Sequence, residues 1–496
     1  MTEKLRYCLD AQVLQGDSRD RGIGRYSSDL ARAIIKSERV QPEILLNTAL
    51  KDGFYAAMTW AEALVPAKNI HVFHGLGEII GLIPDNTRRR GHAARLYDAV
   101  VHKLNPDCVH IGAPFDGMGD NTTVGNVSVS STTIRSATLY DLIPFQDPDL
   151  HLADIRYHQW YHERLARLRD FDLLFAISDY TRQVAVETFG FPADRVINIS
   201  SDASDLFKKI DLTKAQSSKI LKNYGITRTF IVHTGILEAR KNVKLLVEAF
   251  AALAPSLRQT MQLVLITSVT EAQRAEITGH GRRFGLEPDD IVFAGFVPDA
   301  DLVKIYNLAK LLVMPSLSEG FGLPLLEAMR CGLPVLGADA TSIPEVVGDK
   351  SYLFDPYDSK ELTEKLQRLL SDEHVYAAAQ AHVGRQQLLF SWQTSANRCL
   401  DAIETLKAER ALSKSGAVSK AKKRAARNDE TVENVPAEIV VNDGHLTAEQ
   451  EAKMTSGPFI CLSSGSDDIT CSAEMLYRSS GYYALYEQKF SPRRSM

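Results

Sequence analysis

The chain has 496 residues, which is too many for one ordinary hydrophobic core, since domains of roughly 100–200 residues are typical. Hydrophobic residues make up 45% of it and charged residues 24%, the balance of a soluble globular protein. The net charge of -5 gives no support for nucleic-acid binding. We therefore expect two or three globular domains whose partners are not nucleic acids.

The cysteines and the apolar runs bear on where the protein works. Six cysteines are scattered without paired spacing, which indicates reduced thiols in a cytoplasmic protein rather than a disulfide framework. Residues 1–10 contain no apolar core of a signal peptide, and no run of about 18 apolar residues occurs. Neither secretion nor a membrane span is predicted.

The N-terminal part of the chain alternates strand-like runs with helical patterns. This alternation predicts parallel sheets with crossover helices. The predicted helices cover residues 24–36, 93–104 and 157–169. The predicted strands cover residues 5–14, 69–73, 108–111, 136–140, 173–177 and 196–199.

A second series of the same kind follows Lys208, with a predicted helix at 243–253. Its predicted strands cover residues 229–234, 263–267, 291–294, 311–314 and 334–336. Two successive series predict two doubly wound α/β domains, at 1–205 and 206–390, joined near residues 202–212. A helix at 391–412 is expected to close the folded part.

The composition changes after Leu412, where a basic run begins. A polar stretch, residues 428–449, follows it, and we expect residues 413–496 to be a disordered or loosely packed tail. The basic run is either a solvated helix extension or a contact with anionic lipid, which would place the protein at the inner face of the cell membrane. Its cations are Lys414, Lys420, Lys422, Lys423, Arg424 and Arg427.

The strongest functional pattern is the segment 318–329, which follows the predicted strand at 311–314. Pro324 suits the first position of a helix, so Gly320 and Gly322 present bare backbone just before a helix N-terminus. Such a terminus attracts phosphate through its free N–H groups and its dipole. It also lies at the carboxyl end of a strand, where open α/β sheets bind ligands.

Two carboxylates flank this predicted anion site, Glu319 in the loop and Glu327 in the first helical turn. Carboxylates have a function there if they accept hydrogen bonds from hydroxyls, one from a sugar and one from a ribose. The alternative for Glu327 is a purely structural role, in which it stabilises the helix N-terminus electrostatically.

A second pattern, residues 235–242, follows the predicted strand at 229–234 and contains the adjacent cations Arg240 and Lys241. At the carboxyl end of a strand, two cations can neutralise a diphosphate leaving group. The alternative is a solvated basic loop that precedes a helix.

A third pattern, residues 21–26, follows the first predicted strand and contains Gly22 and Gly24. Ser27 stands where a dinucleotide fingerprint has its third glycine, so the pattern alone is weak. The two glycines either bring backbone N–H groups close to phosphate or form an ordinary tight turn.

A fourth pattern, residues 138–144, places Asp141 at the end of a predicted strand, facing the other domain. Asp141 alternatively caps a turn before Pro144. No metal centre is predicted, although His158 and His162 are spaced like zinc ligands, because Gln159 stands where a zinc protease needs glutamate.

Together these segments resemble the family 4 glycosyltransferases of the GT-B fold, over residues 5–410. The most specific parts are residues 319–329, 237–250, and 331–335 with 343–346. The N-terminal half most resembles mannosyltransferases of bacterial O-antigen and related surface polysaccharides. The resemblance implies two Rossmann-like domains facing each other across a cleft.

The resemblance also implies chemistry: transfer of a hexose with retention and no required metal, from GDP-mannose to a polysaccharide or lipid-linked glycan. Glu319, Arg240, Lys241 and Asp141 would be catalytic, with Glu319 on the sugar hydroxyls and the two cations on the diphosphate. Phe296 and Val297 would lie at the base, and Glu327 at the ribose. The full expected donor-binding set is Gly22, Gly24, Phe296, Val297, Gly320, Phe321, Gly322, Leu323 and Glu327.

The sequence departs from the family at Tyr140, where many members have the histidine that contacts the donor sugar. Either Tyr140 replaces it or Asp141 takes over. Alternative functions are a UDP-glucose or UDP-N-acetylglucosamine transferase, a phosphorylase or sugar-nucleotide synthase, and a non-catalytic nucleotide-sugar-binding protein.

Overall fold

The computed structural model describes residues 4–83, 86–125, 132–425, 439–442 and 460–463, with side chains described as far as Leu412. These residues form a seven-stranded parallel sheet, a six-stranded parallel sheet and a separate two-stranded sheet. The first two sheets belong to two Rossmann-like domains, hereafter the N-domain and the C-domain.

The N-domain sheet has the strand order β3-β2-β1-β4-β5-β6-β7. Its strands are β1 (Leu5–Asp10), β2 (Val40–Asn47), β3 (Ile70–Phe73), β4 (Cys108–Ile111), β5 (Ile134–Leu139), β6 (Leu173–Ala176) and β7 (Val196–Asn198). Its helices are α1 (Gly22–Ile35), α2 (Lys51–Glu62), α3 (Thr87–Leu104), α4 (Ile143–Gln146), α5 (Pro148–His151), α6 (Ile155–Leu168) and α7 (Asp179–Gln183).

The C-domain sheet has the strand order β10-β9-β8-β11-β12-β13. Its strands are β8 (Thr229–Thr234), β9 (Met261–Ile266), β10 (Ile291–Phe293), β11 (Leu311–Met314), β12 (Val335–Ala338) and β13 (Leu353–Phe354). Its helices are α8 (Lys214–Asn223), α9 (Val243–Ala251), α10 (Pro255–Arg258), α11 (Glu271–Arg283), α12 (Asp299–Leu308), α13 (Leu323–Arg330), α14 (Ile343–Val347), α15 (Ser359–Ser371) and α16 (Glu373–Gln386).

Both sheets reverse their strand order beside their first strand, between β1 and β4 and between β8 and β11. Ligands of open α/β sheets bind at such switch points, outside the carboxyl ends of the strands. The central strands are buried on both faces, and every residue of β9 and β11 is buried. The loops after β8 and β11 therefore rest on a rigid core.

The predicted strands differ from the observed ones in three places. The predicted strand 5–14 ends at Asp10, because the Asp10 carboxylate accepts a 3.1 Å hydrogen bond from the Gln12 amide and turns residues 11–14 into a 3₁₀ helix. The strand β2, which lies next to the edge strand β3, was not predicted, because Pro42 and Glu43 interrupt its apolar run. The strand β13 was missed because it has only two residues.

The last long helix, α17 (Trp392–Ala425), starts near the predicted position but continues past Leu412, because the added stretch is rich in alanine and lysine. It packs on the N-domain, where the Trp392 ring lies edge-on to Tyr26 at 4.9 Å. Arg427 of the basic run and most of the remaining tail lie outside the described residues. The described parts of the tail are two strands, β14 (Ile439–Asn442) and β15 (Ile460–Ser463), which pair with each other. No helix in the described ranges is long and apolar enough to cross a membrane.

The cysteines of the two domains are thiols. Cys8, Cys108, Cys331 and Cys399 are free and buried. The side chain of Cys461 is not described, and Cys471 lies outside the described residues.

The chain crosses between the domains twice, once after β7 and once before α17, and Arg330 of α13 touches both crossings. Its guanidinium lies 2.6 and 2.7 Å from the Asp202 carboxylate at the first crossing. It also donates a 3.1 Å hydrogen bond to the Phe390 carbonyl at the second. One C-domain side chain thus fastens both connections.

Candidate active site

The loops that follow β8 and β11 meet at the C-domain switch point. The Leu317 amide donates a 2.7 Å hydrogen bond to the Arg240 carbonyl, which ties the two loops together. Lys241 donates to one Glu319 oxygen at 2.6 Å, and Arg240 lies 3.3 Å from the other. The two cations and the carboxylate predicted separately therefore form one cluster.

The Glu319 carboxylate is buried, with only 8% of the residue exposed. Burial alone would raise its pKa, but the charges of Lys241 and then Arg240 hold the pKa below its usual value. Glu319 is therefore ionised, and it balances both cations in this structure. An anion that binds the cations and a hydroxyl that binds Glu319 can replace this internal pairing.

Two hydroxyl side chains that sequence reasoning missed hold the Glu319 loop in place. The Glu319 amide donates to the Thr341 hydroxyl at 3.0 Å. The Ser342 hydroxyl donates to the carbonyls of Glu319 and Phe321 at 2.9 and 3.0 Å. The only available hint was their position directly before residues 343–346, which carry part of the family resemblance.

The start of α13 differs from the prediction in two details. The helix begins at Leu323, so Pro324 is its second residue rather than its first. Glu327 is the fifth residue and lies outside the first turn, where the helix dipole acts on a charge. The electrostatic alternative for Glu327 therefore loses its basis. Gly322 has φ of +115°, a conformation that favours glycine.

Glu327 faces the N-domain across the cleft. Arg25 of α1 lies 2.9 Å from the Asp299 carboxylate and 3.7 Å from that of Glu327. Burial raises the pKa of Glu327 to about 7; Arg25 opposes the rise and Asp299 adds to it. Glu327 thus sits near the midpoint of its titration at neutral pH.

The N-domain touches the candidate site at Tyr140 and Asp141. A Cβ on Gly320 would lie 2.3 Å from the Tyr140 carbonyl oxygen and 3.1 Å from the Asp141 Cβ. Burial raises the pKa of Asp141, Arg240 lowers it, and Glu319 raises it further, so Asp141 faces the charged cluster of the C-domain. The Asp141 carboxylate also accepts a 3.1 Å hydrogen bond from the Ile143 amide, so the turn-capping alternative is realised as well.

The tyrosine at the family's histidine position turns away from this cluster. The hydroxyls of Tyr140 and Ser27 lie 2.6 Å apart, and the Tyr140 hydroxyl also donates to the Ile23 carbonyl at 3.3 Å. Its ring packs edge-on against Tyr26 at 5.3 Å. Asp141, rather than Tyr140, therefore presents a side chain to the C-domain cluster.

The two glycines of residues 21–26 have different surroundings. The nearest atom to a Cβ on Gly22 would be the Leu323 side chain at 3.9 Å, so Gly22 lies across the cleft from the start of α13. A Cβ on Gly24 would lie 2.2 Å from the Arg19 carbonyl oxygen. Gly24 is therefore required because the backbone of residues 18–19 passes directly against the first turn of α1.

Three residues expected at the donor differ in what they can offer a ligand. Phe296 is 79% exposed, whereas Val297 belongs to the core. Phe321 is buried as well and packs edge-on against Phe390 at 5.8 Å. Only the backbone of Val297 and Phe321 is left for contact with a ligand.

No set of three or more His, Cys, Asp or Glu side chains within the described ranges is arranged to hold a metal ion. His158 and His162 lie together on α6, with ring centroids 4.4 Å apart.

Comparison with known proteins places this site in a family. The pattern described as "Glycosyl transferases group 1" matches residues 217–386, most of the C-domain. The O-antigen chain mannosyltransferase B of Escherichia coli is 32% identical over 272 residues, which cover 54% of this chain and 70% of that protein. The chain belongs to the group 1 glycosyl transferases. Its two-domain architecture is the GT-B fold, as the resemblance implied.

One further relative of this group 1 glycosyl transferase and one solved structure with a similar fold extend the comparison. The serotype-specific mannosyltransferase WbdA of Escherichia coli is 32% identical over 400 residues, 80% of this chain and 48% of that protein. The chain thus spans about half the length of that curated relative. The crystal structure of Anabaena Alr3699/HepE in complex with UDP-glucose has a TM-score of 0.56 at 19% identity, covering 81% of this chain and 99% of that one.

Proposed function

We propose that the protein is a retaining mannosyltransferase that transfers mannose from GDP-mannose to a polysaccharide or lipid-linked glycan. The observation that carries this proposal is the cluster of Arg240, Lys241 and Glu319 at the C-domain switch point, with Asp141 opposite. The mannosyltransferases among its relatives support mannose as the sugar.

Donor binding replaces the internal ion pairs of the cluster. The diphosphate takes Lys241 and Arg240 as partners together with the N-terminal amides of α13, which suit an anion. Glu319 is released to accept hydrogen bonds from the sugar hydroxyls, while Glu327 takes those of the ribose. After the exchange the two cations are paired with the diphosphate, and the Glu319 carboxylate keeps hydrogen-bond donors in the sugar hydroxyls, so no buried charge is left without a polar partner.

Bond cleavage follows as the glycosyl–phosphate bond loosens towards an oxocarbenium-like state. Lys241, Arg240 and the helix amides stabilise the charge that grows on the departing diphosphate. The acceptor hydroxyl attacks from the same face, and its proton passes to the leaving phosphate. The two cations already supply positive charge at the leaving group, so we expect EDTA to leave the activity intact.

The donor is tested by comparing kcat/KM for GDP-mannose, UDP-glucose and UDP-N-acetylglucosamine on one acceptor. Two unmatched buried polar groups would give a preference of roughly a hundredfold or more for the correct donor. The Anabaena complex with UDP-glucose supports a UDP-glucose transferase as the second candidate. A UDP-sugar that gives the highest kcat/KM would overturn the mannose assignment and leave a retaining transferase.

Contact of the basic run with anionic lipid stays a prediction.

The affinity for GDP-mannose should fall as the pH drops below 7. The raised pKa of Glu327, about 7, means that the carboxylate is ionised at pH 8 and mostly protonated at pH 6. A protonated carboxyl accepts fewer hydrogen bonds from the ribose, so Kd should rise about tenfold between these pH values. The phosphates of GDP-mannose do not titrate in this range, so calorimetry reports on the protein.

Glu327→Gln is the control, because it cannot change its charge. Its Kd should be higher than that of the wild type at pH 8 and nearly independent of pH. A wild-type Kd that is constant from pH 6 to pH 8 would show that Glu327 does not bind the donor as a carboxylate.

A further inference from the structure

His233 is a buried titratable residue beside the candidate site that the mechanism above does not use. It is the penultimate residue of β8, two positions before Gly235, and only 1% of it is exposed. Its Nδ1 lies 3.0 Å from the Val313 carbonyl oxygen of the adjacent strand β11. A carbonyl can only accept, so Nδ1 carries the proton and donates.

The other ring nitrogen is therefore an acceptor with a lone pair. Burial lowers the pKa of His233 to about 4; the Val313 hydrogen bond and the charge of Glu319 oppose this fall and the charge of Lys241 adds to it, so the ring is neutral at physiological pH. Its Nε2 has no hydrogen-bond partner among the described residues. A buried polar atom without a partner destabilises a fold, which points to a partner that arrives in another state of the site.

Lys241 is the side chain placed to become that partner. A Cβ on Gly235 would lie 3.7 Å from the His233 Nε2 and 3.7 Å from the Lys241 Cε. The acceptor nitrogen and the end of the lysine chain therefore both border the space beside Gly235, which has no side chain to fill it. Gly235 has φ of +150°, so residues other than glycine are disfavoured there.

We propose that His233 is a positioning residue for Lys241, and this inference rests on the proposed transferase function. When the donor sugar takes Glu319, the Lys241 ammonium loses its present partner at 2.6 Å. The His233 Nε2 then accepts one ammonium hydrogen bond and holds the remaining N–H groups towards the leaving diphosphate. A neutral acceptor orients the ammonium and leaves its positive charge available to the phosphate, which a second carboxylate would not do.

Two substitutions separate this role from a structural one. The amide nitrogen of His233→Asn can take the place of Nδ1 and keep the bond to Val313, but no atom reaches the Nε2 position. His233→Gln reaches the Nε2 position with an acceptor oxygen and gives up the Nδ1 contact. If His233 positions Lys241, the Gln variant should be the more active of the two; if it only fastens β8 to β11, the Asn variant should be.

The measurement is kcat and KM for GDP-mannose in the full chain. For His233→Asn we expect kcat to fall by roughly 10–100-fold, the cost of one hydrogen bond to a charged group, with KM almost unchanged. His233→Gln should recover most of kcat. In a Lys241→Ala background, His233→Asn should have little further effect, because the group that it positions is gone. The proposal would be overturned if the Asn variant were more active than the Gln variant. It would also be overturned if His233→Asn lowered kcat by the same factor with and without Lys241→Ala.

A readout without turnover distinguishes failure of this inference from failure of the proposed function. In protein labelled with ¹⁵N-histidine, the His233 Nε2 resonance, assigned by its loss in His233→Gln, should show an unprotonated nitrogen that shifts when GDP-mannose binds, because the sugar is the group that releases Lys241 from Glu319. The shift should be absent in Lys241→Ala. A protonated Nε2, or an equal shift in both proteins, refutes the inference, whereas the expected shift without turnover of any nucleotide sugar refutes only the function.

Discussion

Lys241→Ala should lower kcat by about 10²–10³, the loss found when one preorganised partner of a developing charge is removed. The negative charge on the diphosphate grows as the glycosyl bond breaks, so its partner matters more in the transition state than in the bound donor. Donor affinity should therefore change much less than kcat. Steady-state kinetics, together with calorimetric binding of GDP-mannose, measures both quantities.

Lys244→Ala is the matched control for this substitution. The substitution removes the same charge three positions along the chain. Lys244, however, is exposed and pairs on the surface with Glu276 at 2.6 Å. It should leave kcat within about twofold of the wild type, since exposed ion pairs contribute little. A normal kcat in Lys241→Ala, or a wild-type enzyme silenced by EDTA and restored by a divalent metal, would refute the assigned role.

The second large effect is expected at Gly320, whose backbone packs directly against residues 140–141 of the N-domain. Gly320→Ala would bring a methyl group to 2.3 Å from the Tyr140 carbonyl oxygen, an impossible contact between two backbone-anchored atoms. The cleft must then open by about 1 Å at the reacting groups, and a misplacement of that size can cost about 10²-fold in rate. We expect this loss in kcat with a folded C-domain that still binds GDP.

Gly279→Ala tests whether the fall in kcat of Gly320→Ala comes from the clash of the added methyl group or from the replacement of a glycine by alanine as such. Gly279 lies in α11 of the same domain, and apart from the adjacent backbone of its own helix no atom of the described residues lies within 4 Å of the position of its Cβ. Its replacement should preserve kcat and stabilise the helix by about 0.5–1 kcal/mol. A Gly320→Ala enzyme with wild-type kcat would mean that the domains do not come this close during catalysis.

The strand patterns placed Glu319 and the two cations each at the end of a strand, and the family resemblance assigned them to one site. Each group follows a predicted parallel strand, and the carboxyl ends of such strands lie on one edge of a sheet. The pairing of β8 with β11 was not predictable, because local patterns do not say which strands become neighbours. The direct contact between Lys241 and Glu319 depends on that pairing.

Other features escaped prediction for physical reasons of their own. His233 lies within a strand of apolar residues, where a histidine resembles any other buried residue until its neighbours are known. The strand β2 was hidden by Pro42, which is rare in central strands. The position of Glu327 depends on where α13 begins, and helix ends are uncertain by a residue or two in any sequence-based prediction.

The hydrogen bonds of Arg330 to both interdomain connections determine how the two domains can move. Because the two crossings are fastened to the same guanidinium, near Asp202 and Phe390, the domains share a pivot at this end of the interface. When one domain rotates about this pivot, its residues move least beside Arg330 and move farther as their distance from Arg330 increases. The contact of Arg25 with Asp299 lies close to this pivot, because Arg25 is also 3.7 Å from Glu327, three residues before Arg330 on α13. It should therefore change little when product leaves, while contacts farther along the cleft separate more.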